Sequence, residues 1–293
     1  MLEYKDFPAL FRTCDSYSMA AQRKYIFWFR FELLLLVTGG VVGTLDIENE
    51  QYGKYIAILA AALFLGGLVV SFYRKFEKLE DSWYIGRALA ESIKSVTWRY
   101  AVKGEPFEET IENVDSIFRK MMREFIDENK EFIKGNIPED NMHAVSPKMK
   151  EIRNSSFEDR KTTYLSERVN DQLSWYRRKS NYNKKKKDVF FGFTVIAYSL
   201  AIVTHLILIS DNTFLNVTSI FATVVGCLIS WTTMKKYQEL SQSYAVTAHE
   251  ISLILESGAE INNQEDFYAF VGDAEAAFSR EHTLWLARRD VVR

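Results

Sequence analysis

The sequence predicts an all-α integral membrane protein: two transmembrane helical hairpins, four spans in all, continuing into long cytosolic helices, with the second half a duplicate of the first. Three observations predict it. Four stretches carry no charge, the periodicity between them is helical throughout, and the pattern around the first hairpin returns around the second. Composition hides all of this. With 47% apolar residues and 26% charged ones the averages suit a soluble protein, and the signal lies in how those residues are segregated.

Tyr55–Tyr73, Val189–Ser210 and Asn212–Met234 each run without a charge for roughly 20 residues, the length that ~30 Å of hydrocarbon requires of a helix at ~1.5 Å per residue. Leu33–Leu45 is shorter. It crosses by adding Phe27, Trp28 and Phe29, with the heads of Arg30 and Glu32 snorkelling to the interface. The spans are then about 27–45, 55–73, 189–210 and 212–234. Retained flanks are rich in Lys and Arg, translocated ones poor. Arg23, Lys24 and Arg30 precede the first span, Arg74, Lys75 and Lys78 follow the second, Lys184–Lys187 precede the third, and Lys235 and Lys236 follow the fourth. These flanks are expected in the cytoplasm, with both chain ends. The acidic tip Asp46–Lys54 and the short tip Asp211–Thr213 are expected outside. No apolar run precedes Tyr25, so no cleavable signal is read and the first span stays as an anchor.

Slid by 161 residues, the two hairpins superimpose, and Arg74, Lys75, Phe76, Leu79, Ser82 and Trp83 fall on Lys235, Lys236, Tyr237, Leu240, Ser243 and Tyr244. Basic meets basic and aromatic meets aromatic, which points to duplication of a two-span unit in parallel topology, unlike the inverted halves of many transporters. Membrane exits that merely share basic and aromatic flanks would align in the same way. The chain is accordingly divided into a first unit over 1–135, a connecting segment over 136–156 and a second unit over 157–293.

Outside the spans apolar residues recur at three and four. From Arg74 to Arg99 the stripe is Phe76, Leu79, Trp83, Leu89, Ile93 and Val96, and the second span is expected to run straight into this helix until Gly104 and Pro106 break it. Ile111, Val114, Phe118, Met121, Phe125, Phe132 and Ile133 mark another helix stopping near Gly135. Asn136–Ser146 reads as a loop and Pro147 as a helix start. Phe157 to Lys187 leads into the third span, Lys235 to Glu256 leaves the fourth with a stop at Ser257–Gly258, and a last helix covers Gln264–Arg288. Its stripe is Phe267, Phe270, Val271, Ala274, Ala277, Phe278 and Trp285.

Polar residues within the spans need a partner or water at that depth. In the fourth span Asn216, Ser219, Thr223, Cys227 and Ser230 form one stripe, and in the third Thr194, Tyr198 and His205 share a face. Two readings fit: a polar pore wall, or helix–helix packing through small and hydroxyl-bearing residues. Gly39-x-x-x-Gly43 and Gly66-Gly67 lean toward packing. Glu32 is a candidate interfacial acid that titrates or selects cations, against the plainer reading that it is solvated or paired with Arg30. Lys184–Lys187 could hold anionic lipid or a nucleotide, and its simpler use is to set topology.

Catalytic constellations are not assembled, and no enzyme is expected. His143, His205, His249 and His282 are scattered with no metal-ligand spacing, and Cys14 and Cys227 are far apart, so neither a metal nor another cofactor is expected. The net charge of −2 gives no general attraction to nucleic acid, which is not an expected partner.

Three stretches carry a resemblance. The exit helix reads Trp83…Glu91-Ser92-Ile93-Lys94-Ser95…Trp98-Arg99-Tyr100, the second unit opens with Leu173-Ser174-Trp175-Tyr176, and the chain ends on Ala274-Glu275-Ala276-Ala277-Phe278-Ser279-Arg280-Glu281-His282-Thr283-Leu284-Trp285-Leu286-Ala287-Arg288-Arg289. With the order of spans they resemble the bacterial SLATT family, the SMODS- and SLOG-associating two-transmembrane effectors, in tandem over about residues 20–135 and 160–290. The resemblance implies conflict biology: an effector in the bacterial inner membrane, working beside synthetases and sensors of nucleotide second messengers, that forms pores and kills or arrests infected cells. No fused sensor is apparent, so the resemblance leaves open whether a nucleotide second messenger or a sensor protein activates it. Two functions follow as expectations. One is a gated homo-oligomeric channel, and the other a non-conducting scaffold whose helices dock a defence partner.

Overall fold

The computed structural model describes residues 2–45, 49–134, 143–210 and 217–290, and every regular element among them is a helix. In chain order these are a 3₁₀ turn (Tyr4–Asp6), α1 (Ala9–Gly43), α2 (Glu50–Phe76), α3 (Leu79–Ala101), α4 (Val114–Glu128), α5 (Lys130–Ile133), α6 (Pro147–Arg153), α7 (Phe157–Thr163), a π-helical segment (Tyr164–Val169), α8 (Asn170–Ser210), α9 (Thr218–Lys235), α10 (Tyr237–Glu260) and α11 (Gln264–Asp290). They form two compact units that cut across chain order. A span unit gathers Arg23–Leu79 and Arg178–Ala245, and a helical unit gathers Met1–Gln22, Glu80–Arg177 and Val246–Arg293.

Among the described residues three helical runs are long and apolar enough to cross a membrane: Ala9–Gly43, Glu50–Ala101 and Phe157–Ile207. Only 6, 17 and 6% of their apolar windows is buried within the protein, so this is a membrane protein whose apolar surface is left for lipid. α9 covers the later part of the fourth expected span. Positions 212–216 of that span, with the tip Asp211–Thr213, lie outside the described residues, as do positions 46–48 of the other tip and 136–142 of the expected loop.

The exits from the membrane differ from the sequence expectation. The second span does not run straight on. Lys78, at φ 47°, and Lys236, at φ 49°, are left-handed residues that separate α2 from α3 and α9 from α10. Leu79 and Tyr237, the residues next to the two bends, are buried, and this burial offsets the cost of about 1–2 kcal/mol for a left-handed non-glycine residue. Phe76, expected in the α3 stripe, lies before the bend and is 77% exposed. Sliding by 161 residues pairs Lys236 with Lys75, so the two bends are three residues out of register.

Elsewhere local chemistry sets the ends. Asn49 caps α2, its side chain accepting from the backbone N–H of Gln51 and Tyr52. Ser146 Oγ accepts from Met149 N–H, with Pro147 in the first turn of α6. α4 begins after the left-handed Asn113 rather than at Ile111, which is exposed. It stops at Asn129, whose amide donates to the Phe125 carbonyl and takes up an end-of-helix acceptor. α10 runs to Glu260, past the expected stop at Ser257–Gly258. Gly258 is there for close packing: a Cβ at that position would come within 2.6 Å of Leu165 and Phe270.

In the helical unit the predicted stripes turn inward. Leu89, Ile93 and Val96 of α3 and Phe267, Val271, Ala274 and Phe278 of α11 are buried with Phe107, Phe118 and Tyr164, each large side chain contributing about 1.5–3 kcal/mol relative to exposure.

Candidate functional site

Within the span unit α1 packs on both α2 and α9. Gly39 faces the Phe64 ring and Gly43 faces Ala60 on α2, while Gly40 lies against Thr223 on α9, 3.2 Å from Thr223 Oγ1 to where a Cβ would be. Small residues let the helices approach closely, as membrane packing requires without a hydrophobic drive between helices. Cys227 Sγ points at the Leu33 carbonyl, 3.9 Å away. Thr223 and Cys227 therefore face α1 inside the unit. The Thr223 and Thr194 hydroxyls are satisfied within their own helices, donating to the carbonyls of Ser219 and Phe190. Ser219 and Ser230 stand exposed on α9. On α8 Tyr198 is 50% exposed and His205 is exposed. Asn216 lies outside the described residues.

Glu32 does not pair with Arg30. Its carboxylate meets Arg74 Nη2 of α2 at 2.6 Å, with both side chains largely shielded, and the Arg74 guanidinium lies over the rings of Phe29 and Tyr25. The pair bridges the two helices of the first hairpin. Arg30 turns the other way and lies over the indole of Trp231 on α9, 5.1 Å from its centroid.

The helical unit holds the arrangement that sequence reasoning missed. Glu275 of α11, fully buried, receives a two-pronged contact from Arg168: Nε to Oε1 at 2.8 Å and Nη2 to Oε2 at 2.7 Å. Tyr164 Oη donates to Oε1 at 3.1 Å and Ser95 Oγ to Oε2 at 2.7 Å, so four donors fill the carboxylate. The π-helical segment puts Tyr164 and Arg168 on the same inward face, one helical turn apart, and such segments often mark functional sites. Burial opposes the charge on Arg168, but Glu275 beside it prevails and holds the guanidinium above its ordinary range. Burial, with Glu275 next, also raises the Tyr164 hydroxyl well above its usual value. A sequence signal existed: Glu275 sits between Val271 and Phe278 on the apolar stripe of α11, where an acid needs a buried partner.

Beside this network lies a polar cleft of about 50 Å³ lined by Arg87, Glu91, Lys94, Asp171, Gln172, Trp175 and Tyr176. Arg87 pairs with Glu91 at 2.6 Å and reaches Asp15 at 3.4 Å. Burial pushes the Lys94 ammonium below its ordinary range and raises the Asp15 carboxyl. The three stretches that carry the sequence resemblance meet here, Glu91, Lys94 and Ser95 from α3, Trp175 and Tyr176 from α8, and Glu275 and Phe278 from α11. No group of three or more His, Cys, Asp or Glu residues among the described residues is placed to hold a metal ion.

Two family models match the chain. SMODS and SLOG-associating 2TM effector domain 3 matches residues 8–161, and domain 1 of the same series matches residues 164–285. The chain belongs to the SLATT family and carries two such domains in tandem. No curated protein and no solved structure matches it. Its domains are those of membrane effectors in biological conflict systems.

Proposed function

We propose that the protein is a gated homo-oligomeric channel that permeabilises the bacterial inner membrane as the effector arm of an antiviral system. All four apolar stretches span, both chain ends and the Arg74–Lys187 region lie in the cytoplasm, and the two SLATT domains descend from a duplicated unit. One observation carries the reading. Tyr198, near the middle of the third span, and His205 further along the same face are exposed in a single protomer. Neither hydroxyl-bearing ring nor imidazole is stable against hydrocarbon without a partner or water. A second copy or a water-filled axis supplies both. Four spans are too few for a comfortable aqueous pore, which also favours assembly. The activator would be a nucleotide second messenger or a sensor protein acting on the helical unit.

A non-conducting scaffold that docks a cytosolic defence partner is the second reading. Thr223 and Cys227 favour it, because they face α1 rather than an outer surface. Planar-bilayer recording on the purified protein separates the two. Discrete conductance that falls when Tyr198→Leu is introduced supports the channel, and a silent bilayer with the intact oligomer and its activating partner present supports the scaffold.

A further inference from the structure

Arg30 and Lys235 share one aromatic platform. The Arg30 guanidinium lies 5.1 Å and the Lys235 ammonium 5.5 Å from the centroid of the Trp231 ring. Trp231 is wedged between Phe29 and Phe190, with ring centroids 6.2 and 6.3 Å away, and its Nε1 donates to the Tyr237 hydroxyl at 3.3 Å. Tyr237 is 5% exposed. Its oxygen is used as an acceptor, which leaves its own proton to donate.

The charges here are one-sided. The charged groups that bear on Lys235 are Arg30 and Lys179, both cations, and Arg30 also bears on Tyr237. Among the described residues no carboxylate lies within ion-pair distance of Arg30 or Lys235. The contrast with Arg74 is sharp, since that guanidinium has Glu32 at 2.6 Å. Arg30 and Lys235 meet the same ring and Arg30 bears on Lys235, so their like charges repel unless an anion sits between them. The platform itself says where that anion comes from: Trp and Tyr gather at headgroup level, where lipid phosphates are the abundant anions.

We propose that Arg30, Lys235 and the Tyr237 hydroxyl form a site for the phosphate of an anionic phospholipid, floored by the Trp231 indole. The proposal rests on α9 being a span whose end at Lys235 reaches the interface. It needs no conduction, so it stands or falls separately from the channel reading. In this site the lipid neutralises two cations that the protein leaves without an acid and binds the end of α9 to α1 where the first expected span begins.

The test is native mass spectrometry of the full-length protein released from mixed phosphatidylglycerol and phosphatidylcholine membranes. The wild type should retain phosphatidylglycerol in preference. Arg30→Gln with Lys235→Gln should lower that retention by about tenfold or more, since each charge near an anionic surface is worth about 1 kcal/mol. Lys185→Gln, in the lysine run that flanks the third span, should leave it unchanged. If the double variant does not assemble, Tyr237→Phe removes a single hydroxyl and should still lower retention severalfold. Retention equal to wild type in these variants overturns the site. So does an equal loss in Lys185→Gln, which would mean attraction by general positive charge. Displacement of the lipid by millimolar inorganic phosphate would assign the site to free phosphate and overturn the lipid assignment.

Discussion

In the helical unit Tyr100, Phe107, Phe118, Tyr164 and Phe267 are all less than 2% exposed, whereas in the span unit Leu34, Leu65, Ile202, Leu206 and Phe191 are each 60% exposed or more. One chain thus folds against two solvents. Where water is outside, large apolar residues fill an interior and enclose an ion pair whose carboxylate takes four hydrogen bonds. Where lipid is outside, the large residues face outward, and the helices find each other through Gly39, Gly40 and Gly43 and the interfacial Arg74–Glu32 pair.

The sharpest break of that contrast is in the helical unit. Glu275→Ala should strand Arg168 without a counter-charge and cost about 3–5 kcal/mol, read as lost yield or a lowered thermal midpoint in detergent. Replacing Arg168 and Glu275 together by Met should recover part of the loss, because no charge is left unpaired, while the Tyr164 and Ser95 hydroxyls still lose their acceptor. If the single variant is as stable as wild type, the ion pair is not what organises the unit.

Glycines give a smaller, two-sided comparison. Gly258→Ala should cost about 1–3 kcal/mol by overpacking against Leu165 and Phe270. Gly226→Ala, on α9 with nothing within 4 Å of its Cβ, should be neutral or stabilising by up to about 1 kcal/mol from helix propensity. Unfolding of both variants, side by side, checks the pair, and equal effects would erase the distinction drawn between the units.

The smallest effect is on acid stability. Burial raises the Asp115 carboxyl, but hydrogen bonds from the Tyr100 hydroxyl and Lys150 outweigh it, and its net position is below the ordinary aspartate value of 3.8. A depressed carboxylate stabilises the fold above its unfolded value and loses that contribution as pH falls through its folded value. Wild type and Asp115→Asn should therefore differ in stability by a constant amount above pH 3.8 and converge below it. A difference that grows on acidification would reverse the sign of this argument.

Much of this was legible in the sequence, and the gaps have causes. Charge-free length and the three-four stripes found the long apolar helices, the α3 core at Leu89, Ile93 and Val96, and the extent of α11. The bends at Lys78 and Lys236 were not legible, because a lysine in left-handed conformation has no local signature and tertiary burial of Leu79 and Tyr237 decides it. The stop at Gly258 was misplaced because glycine serves close packing as well as helix ends, and spacing cannot tell these apart. Arg30 and Glu32, two residues apart, looked like partners. On a helix such neighbours point different ways, and Glu32 instead meets Arg74 across the hairpin.

Cysteine placed at Tyr198 in a Cys14→Ser, Cys227→Ser background tests the central claim most directly, that the polar face of α8 turns toward water or another copy rather than toward lipid. In proteoliposomes the thiol should react with a membrane-impermeant maleimide or form a disulfide with a second protomer. A thiol that does neither, in a protein shown by size to be intact, would put Tyr198 against hydrocarbon and contradict the shared-axis assembly.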